Sequence, residues 1–201
     1  MMYPPPHHQS SDIQKMIAVI KQYPLGTILS AKQSVPYATH LPVIYNEETG
    51  KLVAHIDKSN PQLETLINGN EVTLIFNGPD TYISPAIYST SQLPTWNYIR
   101  VHITGKISLI HDPEAAKQTL VDMTQFLEGK DQKFVLKKDD PRMDRLIDYI
   151  QAFEIEPVHW EGKFKLSQDK NPTDYHLAKN ELIKNSREED NAFIERIYKN
   201  L

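Results

Sequence analysis

Short runs of β-branched and aromatic residues, separated by turn residues, follow an opening helical pattern in the first half of the chain. Such runs are typical of β-strands, and several in succession with short connections favour an antiparallel barrel. The runs cover 26–30, 37–45, 51–56, 71–77 and 98–110. We therefore predict a mainly β fold with peripheral helices.

Helical patterns surround these strands. The first has an apolar face of Ile13, Met16, Ile17 and Ile20 behind an N-cap at Ser11 or Asp12. Asn or Asp followed by proline also recurs, and this pair suits a helix start because proline needs no N–H partner at the first helical position. It occurs at Asn60-Pro61, Asp112-Pro113, Asp140-Pro141 and Asn171-Pro172. We predict a helix N-terminus at each, and we expect the helices that begin at Pro113 and Pro141 to pack outside the barrel.

The end of the chain changes character. Apolar and polar residues alternate over 152–159 and lead into 161–168, which predicts a last strand with a hairpin or bend at Gly162. From Asn171 the chain is polar with helical spacing. We expect one domain over 1–170, with 171–201 as its C-terminal helical extension.

Composition limits the classes of function. The 201 residues carry a net charge of -4, so no global basic field favours direct DNA binding. Cysteine is absent, which excludes disulfides, thiolate metal ligands and a cysteine nucleophile. The first eleven residues show neither a signal-peptide pattern nor a membrane span. We expect a cytoplasmic protein, whose redox chemistry would need a cofactor.

The segment 55–62 reads as a strand end, a short polar loop and a helix start. A helix N-terminus offers free N–H groups, so Lys58 beside it, with Ser59 and Asn60, would form a phosphate seat. An equally good interpretation is that Asn60 only caps a short helix and that Lys58 is a solvated surface lysine.

The segment 95–105 combines core and polar positions. Strand alternation places Ile99, Val101 and Ile103 on one face, and the other face carries a row of polar and aromatic side chains. That row is Tyr98, Arg100, His102 and Thr104. It predicts a cleft that stacks a planar ligand, or a face covered by a helix or a partner subunit.

Other candidates are weaker. The segment 82–88, with Ser84, predicts a loop over the barrel mouth or a plain turn. A lone strand histidine such as His40 is more often a structural group than a catalyst. No histidine pair has the spacing of a zinc enzyme, and we predict that His7 and His8 lie exposed in a flexible leader, so no metal site is expected. Phosphate-loop, dinucleotide-binding and hydrolase-elbow motifs are missing.

Groups of residues along the chain, in their order, resemble the PaiB family of FMN-binding negative transcriptional regulators. They are Met2-Tyr3-Pro4, Ala38-Thr39-His40-Leu41-Pro42, His55 with Asn60-Pro61-Gln62, Gly78-Pro79 with Tyr82-Ile83-Ser84-Pro85, Thr95-Trp96-Asn97-Tyr98 with Val101-His102 and Gly105, and Phe153-Glu154-Ile155 with 161–168. The ordered combination is specific although each piece alone is weak. Departures from the family pattern are Pro5-Pro6-His7-His8, Ile87 in place of tryptophan, and Asp169-Lys170 in place of Asn-Arg.

The resemblance implies an FMN-binding split β-barrel, a homodimer with cofactor sites across its interface, and FMN as cofactor. It places phosphate contacts at Lys58, Ser59 and Asn60, and Trp96 and Tyr98 near the flavin ring or the partner chain. The predicted cofactor-binding set is Thr39, His40, His55, Lys58, Ser59, Asn60, Gln62, Ser84, Trp96, Asn97, Tyr98, His102, Lys163 and Lys165.

Three functions follow from this resemblance. The first is negative regulation of transcription through bound flavin, a ligand or a partner. The second is a flavin-dependent oxidoreductase acting on a small molecule. The third uses the same barrel for haem, with His40, His55 or His102 as the axial ligand.

Overall fold

A computed structural model describes residues 4–199, and in this range the chain forms seven strands and five α-helices. The strands are β1 (Gln9–Ser10), β2 (Leu25–Lys32), β3 (Val35–Tyr45), β4 (Leu52–Asp57), β5 (Glu71–Ile83), β6 (Thr95–Ile110) and β7 (Ile150–Lys165). The helices are α1 (Ile13–Gln22), α2 (Pro113–Glu128), α3 (Met143–Tyr149), α4 (Pro172–Lys184) and α5 (Asn191–Lys199). Short 3-10 helices cover Pro6–His8, Pro61–Thr65, Pro85–Ile87 and Glu188–Asp190. Among the residues described, no helix combines the length and apolar character needed to cross a bilayer.

The strands pair in the order β1-β7-β4-β3-β2-β5-β6. Because β6 also pairs with β7, six of the strands form a closed ring of pairings. The pairings of β2 with β3 and β5, of β3 with β4, and of β4 with β7 are antiparallel. The predicted mainly β architecture with peripheral helices is confirmed.

Two compact units divide the chain. The central unit contains 24–75 and 103–159, and the terminal unit contains the segment up to Tyr23, 76–102 and the segment from Trp160 onward. The strands β5, β6 and β7 contribute residues to both.

The central unit has its core in the strands of its sheet. Ile28, Val43, Leu52, Phe153 and Ile155 are fully buried, as the alternation of their strands requires. Outside this core, Met123 of α2 packs with Ile44 and Val53. The position of α2 on the outer side of the strands agrees with the prediction.

The terminal unit contains α1, α4 and α5. The apolar face of α1 is buried at Met16, Ile17 and Ile20 as predicted, whereas Ile13 remains exposed. Asp12 is the N-cap, because its carboxylate accepts the backbone N–H groups of Gln14 and Lys15. In α5, Phe193, Ile194, Ile197 and Tyr198 are buried.

Three of the four predicted helix starts are correct. Asp112 caps α2 and Asn171 caps α4, each by accepting a backbone N–H from the third residue beyond it. Asn60 also accepts an N–H, from Gln62, but it begins a 3-10 helix of five residues and not an α-helix. The prediction at Asp140 is wrong by two residues, because its carboxylate holds Arg142 in a turn and α3 begins at Met143.

Two turn predictions are also wrong. No hairpin or bend occurs at Gly162, which lies inside the continuous strand β7. A side chain there would begin 2.8 Å from the backbone oxygen of Ser10, so glycine permits the close pairing with β1. Tyr82 and Ile83 belong to β5, and the loop begins only after them, at Ser84.

The carboxylate of Asp174 ties α4 to residues 89 and 90. It accepts hydrogen bonds from the Ser89 backbone N–H at 2.6 Å, from the Ser89 hydroxyl at 2.8 Å and from the Thr90 hydroxyl, and the side chain is fully buried. Burial alone would raise the pKa of Asp174, but the hydrogen bonds from Thr90, Ser89 and Asn171 outweigh it and lower this pKa from 3.8 to about 2.

We expect stability to depend on this carboxylate at acid pH. A carboxyl group whose pKa is lower in the folded state stabilises the fold above its unfolded pKa, and this stabilisation is lost as the pH falls toward 2. Urea unfolding of the wild type should therefore show a steeper loss of stability between pH 4 and pH 2 than unfolding of Asp174→Asn. Other carboxyl groups titrate in both proteins and cancel in the comparison. Equal slopes would show that Asp174 contributes nothing to acid sensitivity.

Candidate functional site

The predicted cofactor residues divide between the two units. The central unit holds one group of them: Thr39, His40, His55, Lys58, Ser59, Asn60 and Gln62. The terminal unit holds the other: Ser84, Trp96, Asn97, Tyr98, His102, Lys163 and Lys165.

The predicted phosphate loop follows β4, and its own residues use several of its donors. The Asp57 carboxylate accepts the Ser59 backbone N–H at 2.7 Å and the Ser59 hydroxyl at 2.6 Å. These bonds from Ser59 lower the pKa of Asp57, which stays ionised. Lys58 is exposed and its Nζ donates to the carbonyl oxygen of Ile147 at 3.0 Å, which leaves two of its three hydrogens for a ligand. Asp57 was missed in the sequence because a carboxylate beside a phosphate loop has no simple pattern.

Asn60 and Gln62 connect this loop to the β2–β3 hairpin. The Asn60 side-chain amide donates to the Thr39 hydroxyl at 3.0 Å. Gln62 is buried, and its Nε2 donates to the carbonyl oxygen of Ile28 at 3.1 Å and to the Ser30 hydroxyl at 2.9 Å. The contact with a carbonyl fixes the orientation of the amide, so Gln62 Oε1 is left as a buried acceptor without a donor.

The two histidines of the central unit differ. His40 is exposed on β3 and pairs in register with Thr27 on β2. His55 contacts the Thr119 hydroxyl at 2.6 Å, and that hydroxyl donates to the Ala116 carbonyl. His55 Nε2 therefore carries a proton and donates. Burial lowers the pKa of His55 to about 4, so the ring is neutral and connects β4 to α2.

In the terminal unit, the polar face of β6 is half-buried. The alternation predicted from the sequence is confirmed, because Ile99 and Val101 are fully buried while Tyr98, Arg100 and His102 are partly exposed. Arg100 donates to the carbonyl oxygens of Gly78 at 2.7 Å and Ile99 at 2.8 Å. Its guanidinium also forms an ion pair with Asp80 and lies 5.9 Å from the centre of the Tyr98 ring. Arg100 is thus held in place by the protein itself.

An exposed aromatic pair lies at the start of this face. Trp96 is 51% exposed and Tyr82 is 48% exposed, and their ring centres are 6.2 Å apart. The Trp96 indole N–H donates to Asp80 at 3.0 Å, which fixes the ring. Large fixed aromatic side chains at the surface are typical of binding sites and interfaces.

An acidic residue separates His102 from Lys163. Glu161 lies 3.7 Å from His102 Nδ1 and 3.1 Å from Lys163 Nζ. Burial and the charge of Lys163 lower the pKa of His102, and Glu161 opposes them only in part. The neutral form of His102 is therefore favoured near pH 7.

Asn97 and Lys165, two further predicted residues of the terminal unit, line a pocket of about 270 Å³. Lys165 Nζ donates to the Thr95 hydroxyl at 2.6 Å, and Asn97 is completely buried with its Oδ1 accepting from Ser167. The remaining residues of the lining are His8, Gln92, Leu93, Pro94, Asp169 and Lys170. Ser84 lies apart from this lining and caps the short helix Pro85–Ile87.

The prediction that both leader histidines are exposed is wrong for His8. Its side chain is 6% exposed, and its Nδ1 lies 3.0 Å from Gln168 Oε1, on a segment far away in the chain. Ligand atoms of His7, His8 and Asp169 lie within 4.8 Å of one another. Asp169, however, already pairs with Lys170 at 2.8 Å.

Comparisons with known proteins agree on family and fold. Residues 2–159 match the family model described as "Putative FMN-binding domain". Protease synthase and sporulation protein PAI 2 (PaiB) of Bacillus subtilis is 30% identical over 177 residues, covering 87% of this chain and 86% of that protein.

Solved structures share the fold at low sequence identity. The FAD and heme binding protein from Mycobacterium smegmatis superposes with a TM-score of 0.65 at 16% identity, covering 85% of this chain and 80% of that one. The flavocytochrome Anf3 from Azotobacter vinelandii gives 0.59 at 17% identity, covering 84% and 75%. The fold is the flavin-binding split β-barrel, and the cofactor of the matching domain family is FMN. The chain belongs to the PaiB family of FMN-binding proteins.

Proposed function

We propose that this protein is a cytoplasmic homodimer that binds FMN and acts as a negative regulator of transcription without contacting DNA itself. The observation that carries the proposal is the match to the FMN-binding domain across most of the chain. The name of the Bacillus relative, which refers to protease synthesis and sporulation, supports a role in the control of other proteins. The net charge of -4 favours an indirect route through flavin, a ligand or a partner.

The residues of the central unit suit FMN by their chemistry. Gln62 Oε1 is a buried acceptor without a donor, and such an atom is costly unless a bound group or water supplies one. His40 and Lys58 offer exposed donors, and Lys58 adds a positive charge for the phosphate. Ser59 suits a phosphate less well, because Asp57 occupies both of its donors. When bound, the flavin supplies electron and hydride transfer.

Replacement of Lys58 by alanine is expected to weaken FMN binding. Loss of one charged contact to phosphate should lower the affinity about tenfold. Flavin fluorescence quenching during titration measures this change, and Lys106→Ala, an exposed lysine on β6, is the matched control. Equal affinities of Lys58→Ala and the wild type would remove Lys58 from the phosphate site.

A second candidate function is that of a flavin-dependent oxidoreductase. The polar pocket around Lys165 and Asn97 favours it, since an oxidoreductase needs a site for its small-molecule substrate in addition to its flavin. The test is reduction of bound FMN by NADH or NADPH, followed by reoxidation with candidate acceptors. Rapid turnover supports the enzyme, whereas slow reduction without turnover supports the regulator.

A visible spectrum of the purified protein distinguishes flavin from haem. Flavin bands are expected, while a Soret band would support the haem alternative. That alternative is considered because one solved relative is named a FAD and heme binding protein and the other a flavocytochrome. Of the three candidate axial ligands, His55 is bound to Thr119 and His102 lies beside Glu161, which leaves the exposed His40. A colourless protein that takes up no FMN would contradict the flavin proposal.

A further inference from the structure

The pocket around Lys165 in the terminal unit has more hydrogen-bond donors than its own acceptors satisfy. Lys165 is half-buried, and its Nζ donates to a neutral partner, the Thr95 hydroxyl, at 2.6 Å. Within residues 4–199, no carboxylate oxygen lies close enough to Lys165 Nζ, within about 4 Å, to form an ion pair with it. A lysine in this environment carries a positive charge that the protein does not neutralise.

Asn97 supplies a second unsatisfied donor at the same pocket. Its side chain is completely buried, its Oδ1 accepts the Ser167 hydroxyl at 3.0 Å, and its Nδ2 has no acceptor in hydrogen-bond geometry. An amide nitrogen carries two hydrogens. The neighbouring Tyr198 hydroxyl can accept at most one of these two hydrogens, so at least one of them remains unpaired. Leaving a buried donor unpaired costs about 1–3 kcal/mol, so a ligand acceptor there would be favoured.

Ser167 adds a strained backbone to this pocket. It is buried and has a φ of 64°, in the left-handed region that non-glycine residues seldom adopt. Its hydroxyl donates to Asn97 Oδ1. Strain of this kind persists where the surrounding structure enforces it, and it is concentrated at binding sites.

The other charged residues of the pocket do not cancel the positive charge of Lys165. Lys170 and Asp169 pair with each other at 2.8 Å, so their charges largely cancel. His8 is neutral at pH 7, because burial lowers its pKa more than its bond to Gln168 raises it. The positive charge of Lys165 therefore stays in excess.

We propose that this pocket binds an anionic group, a carboxylate or a phosphate, held by Lys165, Thr95 and Asn97. The group belongs either to a free small molecule or to the phosphate of FMN, and both present the acceptor oxygens that these donors lack. The proposal stands on the pocket alone and does not require the regulatory function.

The test uses the full-length protein and two probes, inorganic phosphate and acetate, at an ionic strength held constant with sodium chloride. Side-chain amide NMR signals of Asn97 should shift on titration, because the free hydrogen gains an acceptor. Lys165→Met should weaken the binding about tenfold, and Lys165→Arg should restore most of it. Lys184→Met is the matched control, since Lys184 lies in the same unit, on α4, and is paired with Glu181.

Two results would overturn the proposal. One is an Asn97 amide signal that does not move with either probe, and the other is an equal loss of binding in Lys184→Met and Lys165→Met. Thermal unfolding of each variant shows whether it is folded. A wild-type protein that binds inorganic phosphate but does not bind FMN would contradict the proposed function. It would still support the anion site.

A comparison of FMN with riboflavin identifies the source of the anion. If Lys165→Met weakens FMN binding and leaves riboflavin binding unchanged, the pocket holds the flavin phosphate. If Lys165→Met binds both flavins as the wild type does but binds inorganic phosphate more weakly, the pocket serves a separate anionic ligand. Either result supports the site, and together with the titration of Lys58→Ala it assigns the phosphate to one unit of the chain.

Discussion

Replacement of Gly105 by alanine is expected to destabilise the protein by about 3 kcal/mol. Gly105 lies in β6, and a Cβ atom there would begin 2.5 Å from Ile155 Cγ2 and 2.7 Å from the backbone oxygen of Glu156. The second of these atoms belongs to the backbone of β7 and cannot rotate away. The two strands would have to separate where β6 pairs with β7. For a chain of this length, this loss lowers the melting temperature by about 6–12 °C.

The matched control is Gly69→Ala. A Cβ atom at Gly69 meets nothing within 4 Å, and the cost there comes only from its φ of 86°. We expect that cost to be about 1–2 kcal/mol. Urea unfolding of both variants separates steric overlap from backbone strain. If Gly105→Ala proves no less stable than Gly69→Ala, the close approach of β6 and β7 at this point is wrong.

Features that depend on local sequence were predictable. The alternation in β6 correctly placed Ile99 and Val101 in the core, because a strand sends successive side chains to opposite faces whatever its neighbours are. Capping was predictable for the same reason, since the Asp112 and Asn171 side chains accept N–H groups three residues away.

Features that depend on distant segments were not predictable. Gly162 looked like a bend in isolation, but its role comes from β1, more than 150 residues earlier, which approaches too closely for a side chain. His8 was expected in a flexible leader, yet Gln168 holds it. In each case the determining partner is far away in the chain, and one sequence does not reveal such contacts.

The candidate site shows the same division. Lys58 and Asn60 were predicted as phosphate contacts from a local pattern of strand, loop and helix start. The donor-rich pocket was only half visible, because Asn97 and Lys165 came from the family resemblance while Ser167 was not selected. Its signal, a non-glycine residue with positive φ, exists only in the folded chain. Likewise, Asp57 reveals its competition for the Ser59 donors only through geometry.

Replacement of Trp96 by glutamate is expected to convert the proposed homodimer into a monomer. Trp96 and Tyr82 form an exposed aromatic pair, and large aromatic side chains of this kind often supply much of the binding energy of an interface. A glutamate at this position would bring a charge into the interface and lie beside Asp80, which now accepts the Trp96 N–H. Burying an unpaired charge costs several kcal/mol, so the dimer constant should weaken at least a hundredfold.

Light scattering after size exclusion measures the change, with an expected mass of about 23.2 kDa for the variant and twice that for the wild type. Val158→Glu is the matched control, because Val158 is 56% exposed on β7 and also gains a charge. Circular dichroism shows whether both variants are folded. If the flavin sites lie across the subunit interface, FMN binding should be lost together with the dimer in Trp96→Glu and retained in Val158→Glu. A folded Trp96→Glu dimer would remove this face from the interface, whereas a monomer that still binds FMN would show that one subunit holds the whole flavin site.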